Sequence, residues 1–138
     1  MAPEDPHVKP QDVETQKFDW GTLKWMSTPE VTGAEHFSTG IVQLEPKKGH
    51  ERHNHPESEE ILYVISGEGI QTVADEEFRI TSGDMVYIPE GVMHSTINAT
   101  WEPLRLVAAY APPGPENVLR DLPDCEILPP GELSVEDE

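Results

Sequence analysis

The residues best suited to chemistry lie in two short stretches. The first is His53-Asn54-His55 with Glu60 just beyond it, and the second carries His94. A neutral imidazole offers one lone-pair nitrogen to a metal, and a carboxylate offers an anionic oxygen. Side chains alternate faces in extended backbone, so His53 and His55 point the same way and can converge on one ion. Pro56 cannot donate to a strand ladder and marks an end or a bulge. Four residues separate His55 from Glu60, enough for a reversal. Ile61-Leu62-Tyr63-Val64-Ile65 then reads as the return strand, β-branched and apolar. With Leu62 and Val64 facing inward, Glu60 shares their face and Glu59 does not, so Glu60 is the preferred ligand. Three imidazoles and one carboxylate suit one divalent transition metal: Fe, Mn, Zn, Ni, Co or Cu. Without a cysteine the set does not resemble a closed structural zinc site. A surface His-x-His alone is more often solvated than ligating; the second stretch makes the metal reading the stronger one.

The elements that must position these groups are strands. Gly83-Asp84 opens a short apolar strand through Ile88. Pro89-Glu90-Gly91 turns the chain, and His94-Ser95-Thr96-Ile97-Asn98 follows with His94, Thr96 and Asn98 on one face. Residues 39–46 read as the strand entering a barrel, residues 70–73 and 78–80 as a hairpin, and residues 104–110 as the last clear strand. Its register is open. If Arg105 points inward with Val107 and Ala109, it can hold a substrate carboxylate as a bidentate pair. Otherwise it is a snorkelling surface arginine. Leu62, Val64 and Thr96 are the other residues expected to face a substrate. His50 is expected to be a loop histidine. Short strands with Gly and Pro turns indicate an all-β sandwich or barrel.

The pattern resembles the cupin superfamily. The first cupin motif is matched by His53, His55, Glu60 and Gly67, with one departure: Gly49 lies three residues before His53, not five. The shift is read as a moved turn. The second motif is matched without departure by Gly83, Pro89, Gly91, His94 and Asn98. The resemblance covers about residues 38–112. It implies a cupin-type jelly-roll barrel with one metal inside, held by His53, His55, Glu60 and His94, and a homodimer paired through an outer face bearing Ile61, Tyr63 and Ile65. Cupins include dioxygenases, isomerases, lyases, decarboxylases, sugar-binding domains and storage proteins, so the fold alone names no reaction. The expectation is a metalloenzyme acting on a small oxygen-bearing molecule, dioxygenase-like or isomerase/lyase-like, with Glu60 also able to act as a base. The alternative is a non-catalytic module that binds or senses a sugar or organic acid.

The chain has length for one domain with its own core. Residues 1–16 read as a flexible N-terminal tail, 17–37 as an aromatic arm packed on the barrel's outside or across a partner, 38–112 as the barrel, and 113–138 as an acidic, partly flexible extension. Twenty-seven acidic residues against nine Lys and Arg give a formal charge of −18. That disfavours nucleic acid and anionic membranes as partners. It also fits a halophilic setting, where screening relieves carboxylate repulsion. The single cysteine, Cys125, excludes an internal disulfide framework. No basic-then-apolar leader opens the chain, so the cytoplasm is the expected location.

Overall fold

The computed structural model describes residues 6–131. The extremes of the expected tail and extension, residues 1–5 and 132–138, lie outside the described residues. The strands are β1 (Thr15–Phe18), β2 (Gly21–Ser27), β3 (Ser38–Leu44), β4 (Glu59–Ser66), β5 (Glu68–Val73), β6 (Glu76–Thr81), β7 (Met85–Ile88), β8 (His94–Ile97), β9 (Leu104–Ala111) and β10 (Glu126–Leu128). One short helix, α1 (Pro115–Arg120), follows β9. A seven-stranded sheet runs β10-β1-β2-β3-β9-β4-β7, and a three-stranded sheet runs β6-β5-β8. The strand pairings are antiparallel.

Alternating side chains build the core. On β4, Glu60, Leu62 and Val64 are buried while Ile61 and Tyr63 are exposed, so the face assignment that preferred Glu60 over Glu59 holds. On β9, Leu104, Leu106, Ala108 and Tyr110 point inward. Arg105 is therefore exposed on the outer face, opposite Gln43 of β3, and cannot reach the interior. This corrects its candidacy as a carboxylate clamp. Both faces of β9 are mostly apolar, so period two alone could not choose; Leu104, Leu106, Ala108 and Tyr110 are the residues that join the main core. Val64 is fully buried within that core.

The aromatic segment also differs from expectation. It is not an external arm but a hairpin, β1 and β2, added to the sheet beside β3. Phe18, Trp20, Leu23 and Trp25 all join the main core. Trp25 Nε1 donates to Gln16 Oε1 at 3.1 Å, which satisfies both buried polar groups. The extension contributes too: β10 pairs with β1, and Leu119 of α1 is buried. The folded body thus extends beyond residues 38–112 at both ends. On the outer face, Ile61, Tyr63, Met85 and Tyr87 form an exposed apolar group on neighbouring strands. No helix among the described residues is long and apolar enough to cross a membrane.

Candidate metal centre

His53 and His94 face one another across an isolated antiparallel bridge. Each backbone N–H donates to the other's carbonyl, at 3.0 and 2.8 Å. The segment before His53 lies along β8: His50 N donates to Thr96 O at 3.0 Å, and Asn98 N donates to Lys48 O at 2.8 Å. Gly49 sits where the two backbones nearly touch; a Cβ there would lie 2.7 Å from Thr96 O and 2.8 Å from Ile97 Cα. It is a close-approach glycine and not the moved turn expected from the sequence. Gly91, with φ +77°, does turn the chain, and its N–H donates to His55 O at 3.1 Å. That bond ties the two motifs together.

These contacts bring the three histidines together. Their ligand atoms lie within 4.8 Å of one another. Glu60 Oε1 lies 3.0 Å from His94 Nε2 and 3.5 Å from His55 Nε2. Donors about 2.1 Å from a shared ion at right angles stand about 3.0 Å apart, so the spacing fits a common metal. His55 Nε2, His94 Nε2 and Glu60 Oε1 are buried and have no hydrogen-bond partner of acceptable geometry. Glu60 Oε1 and His94 Nε2 therefore face one another without an aligned hydrogen bond. Buried polar atoms left unpaired are costly, and a cation between them would satisfy all three.

The far side of each ring fixes its tautomer. His53 Nδ1 lies 2.7 Å from Glu51 O, and His94 Nδ1 lies 2.9 Å from Val92 O. A carbonyl only accepts, so each Nδ1 carries the proton and each Nε2 keeps its lone pair. Burial lowers the pKa of His53, offset in part by the Glu51 carbonyl. Burial and the neighbouring imidazoles push His55 down to about 3. Burial also pulls on His94, but the Glu60 carboxylate more than offsets it, and its pKa is raised. His50 packs on Trp20, its ring tilted by 41° with centroids 4.2 Å apart, and is pushed down to about 3, chiefly by burial. It borders the site 5.0 Å from the His53 ring.

Sequence reasoning missed Tyr110. It is the cross-strand partner of Glu60, and its ring meets the His55 ring edge-on at 4.8 Å. Burial first, then the neighbouring Glu60 carboxylate, holds its pKa well above the ordinary tyrosine range. An inward register for β9 would have revealed it. Leu62 and Thr96 line the space beside the ligands as expected, whereas Val64 belongs to the core. Thr96 Oγ1 donates to Gln71 Oε1 at 2.6 Å, so its hydroxyl is already engaged. Asn98 is structural: its amide nitrogen donates to Leu44 O and Glu102 O at 3.1 and 2.7 Å. The interior space at the site is a cavity of about 30 Å³, roughly one water.

Comparison with known proteins bears on the family and the fold. A profile of the cupin domain matches residues 40–110. The tetracenomycin polyketide synthase protein TcmJ of Streptomyces glaucescens is 29% identical over 79% of this chain and 72% of its own. An uncharacterised protein of Methanocaldococcus jannaschii is 38% identical over 44% of this chain; the match spans about half of that relative, 49%. The oxalate decarboxylase of Lactobacillus farciminis, solved as a formate complex, superposes with a TM-score of 0.67 at 28% identity. The match covers 72% of this chain but only 31% of that enzyme.

Proposed function

We propose that this chain, which belongs to the cupin-domain family, is a divalent-metal enzyme acting on a small oxygen-bearing organic molecule. One observation carries the reading: the buried, unpartnered convergence of His55 Nε2, His94 Nε2 and Glu60 Oε1, beside a His53 ring whose tautomer is fixed for ligation. His53, His55, Glu60 and His94 would hold the ion. A bound divalent ion would polarise a substrate oxygen and acidify a bound proton, with oxygen chemistry following for iron or copper and isomerisation or elimination for zinc, nickel or manganese.

The chain's own residues have separate roles. The Val92 and Glu51 carbonyls lock the tautomers of His94 and His53. Tyr110 steadies the Glu60 carboxylate from the neighbouring strand. Leu62 and Leu106 keep the inner side dry. Glu60, a carboxylate set beside the ligand imidazoles, is the group that would accept a substrate proton. The apolar outer face of Ile61, Tyr63, Met85 and Tyr87 supports pairing of two copies into a homodimer.

Elemental analysis of protein purified without chelators tests the reading. The expected result is near one transition metal per chain, lost in His55→Ala. Full metal in that variant would overturn the ligand assignment. Stoichiometric metal without turnover of any oxygen-bearing substrate would favour the non-catalytic binding module.

A further inference from the structure

The candidate ligand rings are not held equally. His94 is buried inside the barrel, whereas His53 is half-buried and its Nδ1 rests on the carbonyl of Glu51. Glu51 and Arg52, which lead into His53, are both exposed. The outer torsion of a histidine is broad, so one hydrogen bond at Nδ1 leaves the ring room to rock. A ligand nitrogen cannot rock far, because metal sites tolerate about 0.2 Å in ligand distance. Something must therefore pack against the His53 ring.

His50 does so. Its ring centroid lies 5.0 Å from that of His53, with 35° between the planes. His50 is not one of the three histidines whose ligand atoms converge. Its backbone is tied to β8, where His50 N donates to Thr96 O at 3.0 Å, and its ring packs on Trp20 at 4.2 Å. Trp20 is in turn fixed from several sides. Phe18 stacks on it at 4.7 Å, within 7° of parallel. Trp20 O accepts the Glu45 N–H at 2.9 Å. The preceding residue, Asp19, donates its N–H to Asp124 Oδ2 at 3.1 Å. Phe18, Trp20 and Asp124 all lie outside residues 40–110, the span matched by the cupin profile. A line of rings thus runs from the added hairpin to the site: Phe18, Trp20, His50, His53.

We infer that Trp20 and His50 are positioning residues that set the tilt of the His53 ring, so that the β1–β2 hairpin, outside the matched domain, completes the metal centre. The inference rests on the metal reading above and adds to it the residues that aim one ligand. The role is one of packing, so the flat ring of His50 matters and its nitrogens do not.

Cobalt(II) binding tests this, because its visible bands report the geometry of the ligands and competition against a chromophoric chelator gives the affinity. His50→Ala should bind cobalt about tenfold more weakly, with shifted bands and an unchanged circular dichroism spectrum. His50→Phe, which keeps a flat ring, should restore both the affinity and the bands of the native chain. Trp20→Leu should weaken binding alone but add little in the His50→Ala chain, as two parts of one contact do. Native affinity and bands in His50→Ala, a His50→Phe variant as weak as His50→Ala, or additive losses from Trp20→Leu and His50→Ala would each overturn the inference. Failure of the native chain to load near one cobalt would overturn the metal reading and the inference with it.

Discussion

Gly49→Ala and Gly91→Ala are the same substitution in the two motifs and have different consequences. At Gly49 the new Cβ would sit 2.7 Å from Thr96 O and 2.8 Å from Ile97 Cα, where ordinary contact begins at 3.4 Å. Both obstacles are backbone, so the Lys48–His53 segment and β8 must separate by about 0.7 Å at Thr96. His94 lies two residues from Thr96 on β8, and His53 lies on the opposing segment. Metal sites tolerate about 0.2 Å in ligand distance, so the retreat exceeds what the centre can absorb. Overpacking of this kind costs roughly 1–3 kcal/mol. For a domain of this size that lowers Tm by about 3–10 °C. Metal affinity should fall by about 10–100-fold, the usual effect of disturbing a metal site's supporting shell. At Gly91 nothing lies within 4 Å of a built Cβ, but φ is +77°. The cost there is left-handed strain of about 1–2 kcal/mol, with little movement of the ligands. Differential scanning calorimetry in chelator would measure the stability loss in both variants. Competition against a chromophoric chelator would measure affinity. Native affinity in Gly49→Ala, or an equal loss in Gly91→Ala, would refute the claim that the two backbones' close approach sets the ligand spacing.

Other consequences can be measured on the same material. Tyr110→Phe removes the hydroxyl of the cross-strand partner of Glu60 and should weaken metal binding about tenfold with the fold intact; an unchanged affinity would show that Glu60 needs no such support. Arg105→Ala should leave metal binding unchanged and shift stability by no more than about 0.5 kcal/mol, because the side chain is exposed on the outer face; loss of ligand binding would contradict that placement. Acid should destabilise the metal-free protein. His50 and His55 are held near pKa 3 in the fold against 6.5 when unfolded, so the unfolded chain binds more protons between those values. Their contribution is complete above pH 6.5 and declines towards pH 3, with His53 acting in the same direction. His94 opposes this, since its raised pKa adds stability below 6.5 that is lost as pH rises through its folded value. Three groups outweigh one, so the urea midpoint should be lower at pH 5 than at pH 7.5. An equal or higher midpoint at pH 5 would contradict the burial of these rings.

The convergence of the candidate ligands was legible in part, where it depends on local rules. Alternation put Glu60 on the face of Leu62 and His53 beside His55, and His94 was marked out by the second motif. The regular strand imagined around His53 was unnecessary, since one bridge to His94 does the work of a ladder. What stayed hidden depends on partners distant in sequence. The Phe18–Trp25 segment looked external because nothing local shows that β3 leaves a free edge for it. The inward face of β9, and with it Tyr110 and Arg105, is decided by packing density between sheets and not by periodicity. The packing of Trp20 on His50 arises only when the β1–β2 turn meets the segment before His53, and Trp20 O bonded to Glu45 N is the trace of that meeting.

The central claim is that three imidazoles and one carboxylate hold a single ion. X-ray absorption at the edge of whichever metal the purified protein carries tests it most directly. The account predicts multiple scattering from three imidazoles, a first shell of nitrogen and oxygen near 2.0–2.2 Å, and no sulfur. Loss of one oxygen scatterer in Glu60→Ala, with the imidazole signal retained, would follow from the same geometry. A spectrum without imidazole scattering, or one with a sulfur shell, would contradict it.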